Sequence, residues 1–98
     1  RTSDMLDHYF VNKAIISCKG MDPALGTFEP HEGEAEIKKK MRDNAELLIL
    51  AADYTKFNRK SFTKTMEARQ IDILVTDRQL PPVSEEQLKR QNVRVIYA

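Results

Sequence analysis

The sequence predicts an α/β fold with a mostly parallel sheet flanked by helices. Three observations predict it. Apolar runs with strand character recur at residues 13–18 (KAIISC), 47–52 (LLILAA), 71–76 (IDILVT) and 93–97 (VRVIY). Helical patterns separate several of them, and this alternation implies right-handed crossovers between parallel strands. Polar residues stand directly after three of the runs, at Lys19 and Asp22, at Asp53 and Lys56, and at Thr76 and Asp77. In open α/β sheets, ligands bind outside the carboxyl ends of the strands.

The length of 98 residues suits one small domain with one core. A hydrophobic content of 41% with 32% charged residues excludes a disordered chain, and no apolar run is long enough to cross a bilayer as a helix. The formal net charge of +1 provides no global basic field for gripping nucleic acid. Cys18 is the single cysteine and has no internal disulfide partner. That usage fits a reducing cytoplasm. The chain opens on Arg1 without a methionine and reads as a piece of a longer protein.

Taken in order, residues 3–10 read as a short helix. Ser3 is a candidate N-cap, Asp4 favours the first turn, and Met5, Leu6, Tyr9 and Phe10 share one face. The strand at 13–18 reads as buried. It runs into Lys19-Gly20-Met21-Asp22-Pro23, which reads as a turn. Gly20 permits positive φ or close approach to a ligand, and Asp22 before Pro23 favours an extended or turn conformation. Residues 28–33 read as a connecting loop. His31, Glu32 and Glu34 are metal-competent types, but they lack the i, i+4 histidine pair of a zinc helix.

Residues 34–45 give the clearest long helix. Ile37, Met41 and Ala45 form its apolar stripe, and Glu34–Lys38 and Glu36–Lys40 are favourably ordered i, i+4 pairs. The basic run Lys38, Lys39, Lys40 and Arg42 is flanked by acids and reads as a solvated face. Asn44 helps end the helix. The run from Leu47 to Ala52 has no polar alternation, so it reads as a strand buried on both faces. Beyond it, Phe57 and Phe62 read as core anchors, 58–60 as a turn and 61–66 as a short strand or extended segment.

The 71–76 strand is followed by Pro81-Pro82, which reads as a turn that blocks helix. Ser84 then opens the last helix, with Gln87 completing a capping box and Val83 stapling onto Leu88. Asn92 suits a left-handed stop before the final strand.

The chemistry at the strand ends points to binding rather than catalysis. The sequence contains no G-x-S-x-G elbow, no Walker loop and no G-x-G-x-x-G. Lysines, backbone N–H groups near Gly20, and aspartates that accept from hydroxyls suit a small polar anion.

The blocks VNKAIISCKGMD, Gly26-Thr27, EAEIKKKM, LLILAADYTKF and IDILVTD occur in an order and spacing that resemble the C-terminal sensor domain of DeoR-type bacterial transcriptional regulators. The resemblance covers nearly the whole chain. Its most specific parts are Asp53, Lys56 and Phe57, and the Thr76-Asp77 ending. It implies a Rossmann-like sheet similar to that of ribose-5-phosphate isomerase and the CoA transferases. It also implies a regulatory role, typically repression of carbohydrate-metabolism genes, exercised by binding a phosphorylated sugar or related metabolite.

DNA would be contacted only through a separate N-terminal helix-turn-helix domain, which residues 1–98 do not contain. On this reading they form the C-terminal part of the sensor domain. The resemblance assigns Asp53 and Lys56 to effector contact, Lys19, Gly20 and Asp22 to a sugar-contacting loop, and Glu34 to a recurrent glutamate at the start of the following helix. No catalytic residue, cofactor, metal or membrane contact is implied, and a homo-oligomer is expected. Two departures stand out. Ser17-Cys18-Lys19-Gly20 replaces the family's glycine-alanine-aspartate-glycine, which argues against isomerase chemistry, and the family's upstream glycine-rich phosphate loop is missing.

Overall fold

A computed structural model describes residues 11–59 and 63–98. Its frame is a parallel sheet of four strands, β1 (Val11–Ile16), β4 (Ala45–Ala51), β6 (Ile73–Thr76) and β7 (Arg94–Tyr97), lying side by side in that order. Mixed α/β architecture with a parallel sheet is what the alternating pattern predicts. A second sheet is antiparallel and contains β2 (Gly20–Asp22), β3 (Gly26–Glu29) and β5 (Thr63–Met66), with β3 in the middle. Helices α1 (Glu32–Asp43) and α2 (Pro82–Arg90) complete the fold. The expected helix at residues 3–10 and the core role of Phe62 lie outside the described residues.

One core joins these layers. Ala14, Ile16, Leu48, Leu50 and Leu74 face it from the parallel sheet, and Leu88 reaches it from α2. Met21 and Met66 enter from the antiparallel sheet, and Cys18, Ile71, Leu80 and Val93 close it between elements. Each fully buried leucine contributes about 2 kcal/mol by leaving water.

Several boundaries differ from the sequence reading for physical reasons. The turn expected at 19–23 and the first residues of the loop expected at 28–33 belong to a hairpin, and the last residues of that loop belong to α1. Asp22 Oδ1 accepts from the N–H groups of Ala24 at 2.8 Å and Leu25 at 3.1 Å, so the aspartate closes the hairpin tip. Gly26 follows at φ 118°, a conformation that side-chain-bearing residues avoid. The strands are too short for periodicity to reveal them. Helix α1 starts earlier than expected, and Asn44 caps its end as read. Helix α2 begins with Pro82 at its first position rather than at Ser84, because proline's fixed φ and missing N–H suit that place. Val83 is 71% exposed, so it does not staple onto Leu88. Asn92 adopts φ 63°, the left-handed stop the sequence predicts.

Burial on both faces does not hold across the parallel sheet. In β4, Leu48 and Leu50 are fully buried, while Leu47 and Ile49, pointing the other way, are only half-buried. In β1, Ile15 is 67% exposed. All the strand-to-strand connections run in one direction across the sheet, so right-handed crossovers stack them on a single face.

Candidate functional site

The carboxyl ends of β1, β4 and β6 meet at one edge, and hydrogen bonds link them. After β4, Asp53 caps a 3₁₀ turn (Tyr54–Lys56): its Oδ1 accepts from Thr55 N at 2.9 Å and also from the Thr55 hydroxyl. Those bonds hold the Asp53 carboxyl below its ordinary range, the Thr55 hydroxyl contributing most. After β6, Asp77 Oδ1 accepts from Tyr54 N at 2.8 Å, which ties the β6 end to the turn after β4. On the other side, Met21 of β2 pairs with Phe57, and Asn58 N donates to Met21 O at 2.7 Å. Gly20 lies against this segment so closely that a Cβ there would collide with the carbonyl oxygen of Arg59.

The structure therefore brings Gly20 and Asp22 next to the segment that carries Asp53 and Lys56. The close approach at Gly20 is to the protein's own backbone at Arg59. Lys19 is exposed at the start of this hairpin, and its N–H donates to Phe28 O at 3.2 Å. Lys56 is half-buried at the end of the 3₁₀ turn. Glu34 is exposed on the first turn of α1, and no bond among the described residues joins it to the others.

A cleft of about 250 Å³ opens over the ends of β4 and β6, lined by Ala51, Ala52, Asp53, Val75, Thr76, Asp77 and Ala98. The Thr76 side chain is buried on the same strand face as Leu74, and its Oγ1 has no partner among the described residues. The two carboxylates of Asp53 and Asp77 suit a polyhydroxylated ligand, because a carboxylate accepts from ligand O–H groups.

A polar cluster that sequence reasoning missed lies at the end of β1. Lys38 was read as part of a solvated basic face. Instead its Nζ donates to Ser17 O at 2.6 Å and to Glu29 Oε2 at 2.7 Å, with Glu29 fully buried. Burial, then the Glu29 carboxylate, push the neighbouring Cys18 thiol up to about 11. Arg42 corrects the same reading: it bonds Gln70 O at 2.6 Å, Asp72 Oδ2 at 2.8 Å and Ala45 O at 3.1 Å. The spacing signal was present, since 38 and 42 are one helical turn apart, but sequence alone did not identify their partners. Among the described residues no group of three or more His, Cys, Asp or Glu is placed to hold a metal ion.

The family model of the DeoR C terminal sensor domain matches residues 1–78. The chain belongs to this sensor domain family. It is 34% identical over 90 residues, 92% of its length, to an uncharacterized HTH-type transcriptional regulator, YulB, of Bacillus subtilis. It is 31% identical over 93% of its length to a putative aga operon transcriptional repressor of Escherichia coli, and 25% identical over 94% to the L-fucose operon activator of Haemophilus influenzae. The matched stretches are 35%, 34% and 37% of those proteins, so the chain spans about a third of the curated relatives it matches. The sensor domain is a regulatory unit rather than a catalytic one, and no helix among its described residues is long and apolar enough to cross a membrane.

Proposed function

We propose that the sensor domain binds a phosphorylated sugar or a closely related anionic metabolite at the carboxyl edge of its parallel sheet. The observation that carries the reading is the juncture of two segments there: the hairpin bearing Lys19, Gly20 and Asp22, and the turn bearing Asp53 and Lys56, joined through Met21 and Phe57. Lys56 and Lys19 supply charge for a phosphate, Gly20 lets backbone approach closely, and Asp53 and Asp77 offer acceptors to sugar hydroxyls. Glu34 would act from the rim.

In the intact protein this binding would set the activity of a DNA-binding helix-turn-helix unit of the kind for which the relatives are named, in a homo-oligomeric cytoplasmic regulator. The named aga repressor and fucose activator support carbohydrate genes as the regulated class. The deciding experiment is a thermal-shift and operator-release screen of the full-length protein against phosphorylated sugars, repeated with Lys56→Ala. The expected result is a ligand that stabilises the parent and alters operator affinity, while Lys56→Ala binds operator normally but no longer responds. A Lys56→Ala protein that responds like the parent overturns the site.

A further inference from the structure

The turn that carries Lys56 has a further cation beside it, and that cation is held differently from the lysines. The Arg78 guanidinium lies over the Tyr54 ring, 5.4 Å from its centroid. A cation within about 6 Å of an aromatic centroid is attracted by the negative face of the ring. The backbone sets up this stack. Tyr54 opens the 3₁₀ turn after β4, and Arg78 is the second residue beyond β6. Asp77, between β6 and Arg78, accepts from the Tyr54 N–H at 2.8 Å, so the two segments are clamped together next to the stacked side chains.

The polar groups around the stack are left with unused capacity. Arg78 is exposed, and among the described residues no hydrogen bond or ion pair takes up its N–H groups, although Asp77 is its chain neighbour. Asp53 and Asp77 line the adjacent cleft, and among the described residues each accepts through Oδ1 alone. The edge therefore presents a guanidinium fork with free donors beside two carboxylate oxygens with free lone pairs. A ligand that satisfies both carries an oxyanion at one end and hydroxyls along its body. A planar fork meets two oxygens of a phosphoryl group at once, whereas the lysines offer mobile point charges.

We infer that Arg78 reads the phosphoryl group of the effector, with Tyr54 as the platform that holds its guanidinium in place. This rests on the reading of the sheet edge as the effector site and narrows it. The ligand lies with its phosphate on the β6 side and its hydroxyls toward Asp53 and Asp77. Arg78 then sets the preference for a phosphorylated sugar over the same sugar without phosphate.

The test is binding of inorganic phosphate to the full-length protein, followed by thermal shift at an ionic strength held constant with sodium chloride. Saturable stabilisation of the parent is expected. Arg78→Ala is expected to weaken phosphate binding about tenfold or more, as loss of charge-assisted hydrogen bonds requires. Arg78→Lys keeps the charge without the fork and should not restore the parent's affinity. Tyr54→Phe keeps the ring and should bind phosphate like the parent, whereas Tyr54→Ala should follow Arg78→Ala. Equal phosphate binding by the parent and Arg78→Ala overturns the proposal, and so does a parent that phosphate does not stabilise. Lys56→Ala separates this failure from that of the site as a whole. If Arg78→Ala binds phosphate like the parent while Lys56→Ala has lost its response to phosphorylated sugars, the site stands and only the role of Arg78 falls. If neither variant differs from the parent, both fall.

Discussion

Lys38 Nζ lies 2.7 Å from Glu29 Oε2, and Glu29 is fully buried. The pair joins α1 to the middle strand of the antiparallel sheet, and the additional bond from Lys38 to Ser17 O carries the link to the end of β1. A buried carboxylate that loses its cation leaves an uncompensated charge. Lys38→Met is therefore expected to destabilise the domain by about 3–5 kcal/mol in urea unfolding. Adding Glu29→Gln to Lys38→Met removes the stranded charge and should recover a good part of that loss. If the double variant is no more stable than Lys38→Met, the carboxylate is not the origin of the cost.

Asp72 pins the opposite end of the sheet. Its Oδ2 accepts from Leu48 N at 2.8 Å and from Arg42 Nη1 at 2.8 Å. Partial burial opposes ionisation, but the Leu48 N–H and the Arg42 guanidinium outweigh it and hold the carboxyl below its ordinary value of 3.8. A lowered carboxylate stabilises the fold above its unfolded pKa, and that contribution fades as pH falls from about 4 through the folded value. Asp72→Asn is expected to cost about 1–3 kcal/mol at pH 7. It should also flatten the acid limb of the stability profile below pH about 4. An acid limb identical to the parent's would refute the assignment.

Cys18 acts at the other end of the pH scale. Its thiol is raised from 9.0 to about 11, first by burial and then by the Glu29 carboxylate. The unfolded chain releases this proton at lower pH than the folded chain does. Stability is therefore complete below pH about 9 and lost as pH rises toward about 11, by roughly 2–3 kcal/mol at the end of that range. The measurement is unfolding free energy at pH 8 and 10.5 for the parent and Cys18→Ala. The difference between the two proteins should shrink as pH rises, and a constant difference would show that the thiol is not shifted.

Leu50 tests the core. It is fully buried in the second strand of the sheet, between β1 and β6. Leu50→Asp places an unpaired charge there at a cost of several kcal/mol, enough to unfold a domain of this size. A soluble Leu50→Asp protein with the parent's melting curve would contradict that packing.

Gly26 tests the hairpin. Its φ of 118° is strained for any side chain, and a Cβ would run into the Met66 carbonyl oxygen. Gly26→Ala is expected to cost about 1–3 kcal/mol, more than the entropy it gains in restricting the unfolded chain. A melting temperature equal to the parent's would mean that the β3–β5 register is looser than described.

Much of the frame was legible residue by residue. Unbroken apolar runs at Leu47 and Ile73, a helix stripe through Ile37 and Met41, and the stops at Asn44 and Asn92 carry local signals that need no partner. The polar strand ends at Asp53 and Asp77 were legible too, because parallel strands put their carboxyl ends at one edge. The short strands around Met21 and Thr27 were not, since runs of three or four residues show no reliable period, whereas the one at Thr63–Met66 falls within the stretch read as a short strand or extended piece.

The sequence by itself determined the long strands and the helices, that those strands run parallel, and where polar groups end them. These follow from side-chain spacing and backbone preference along the chain. Only the tertiary structure decided that Lys38 and Arg42 turn inward, that Glu29 is buried, and that Ile15 and Ile96 are exposed. A charge or an isoleucine has no fixed environment of its own: its partner comes from another element, and crossover handedness decides which face that element covers.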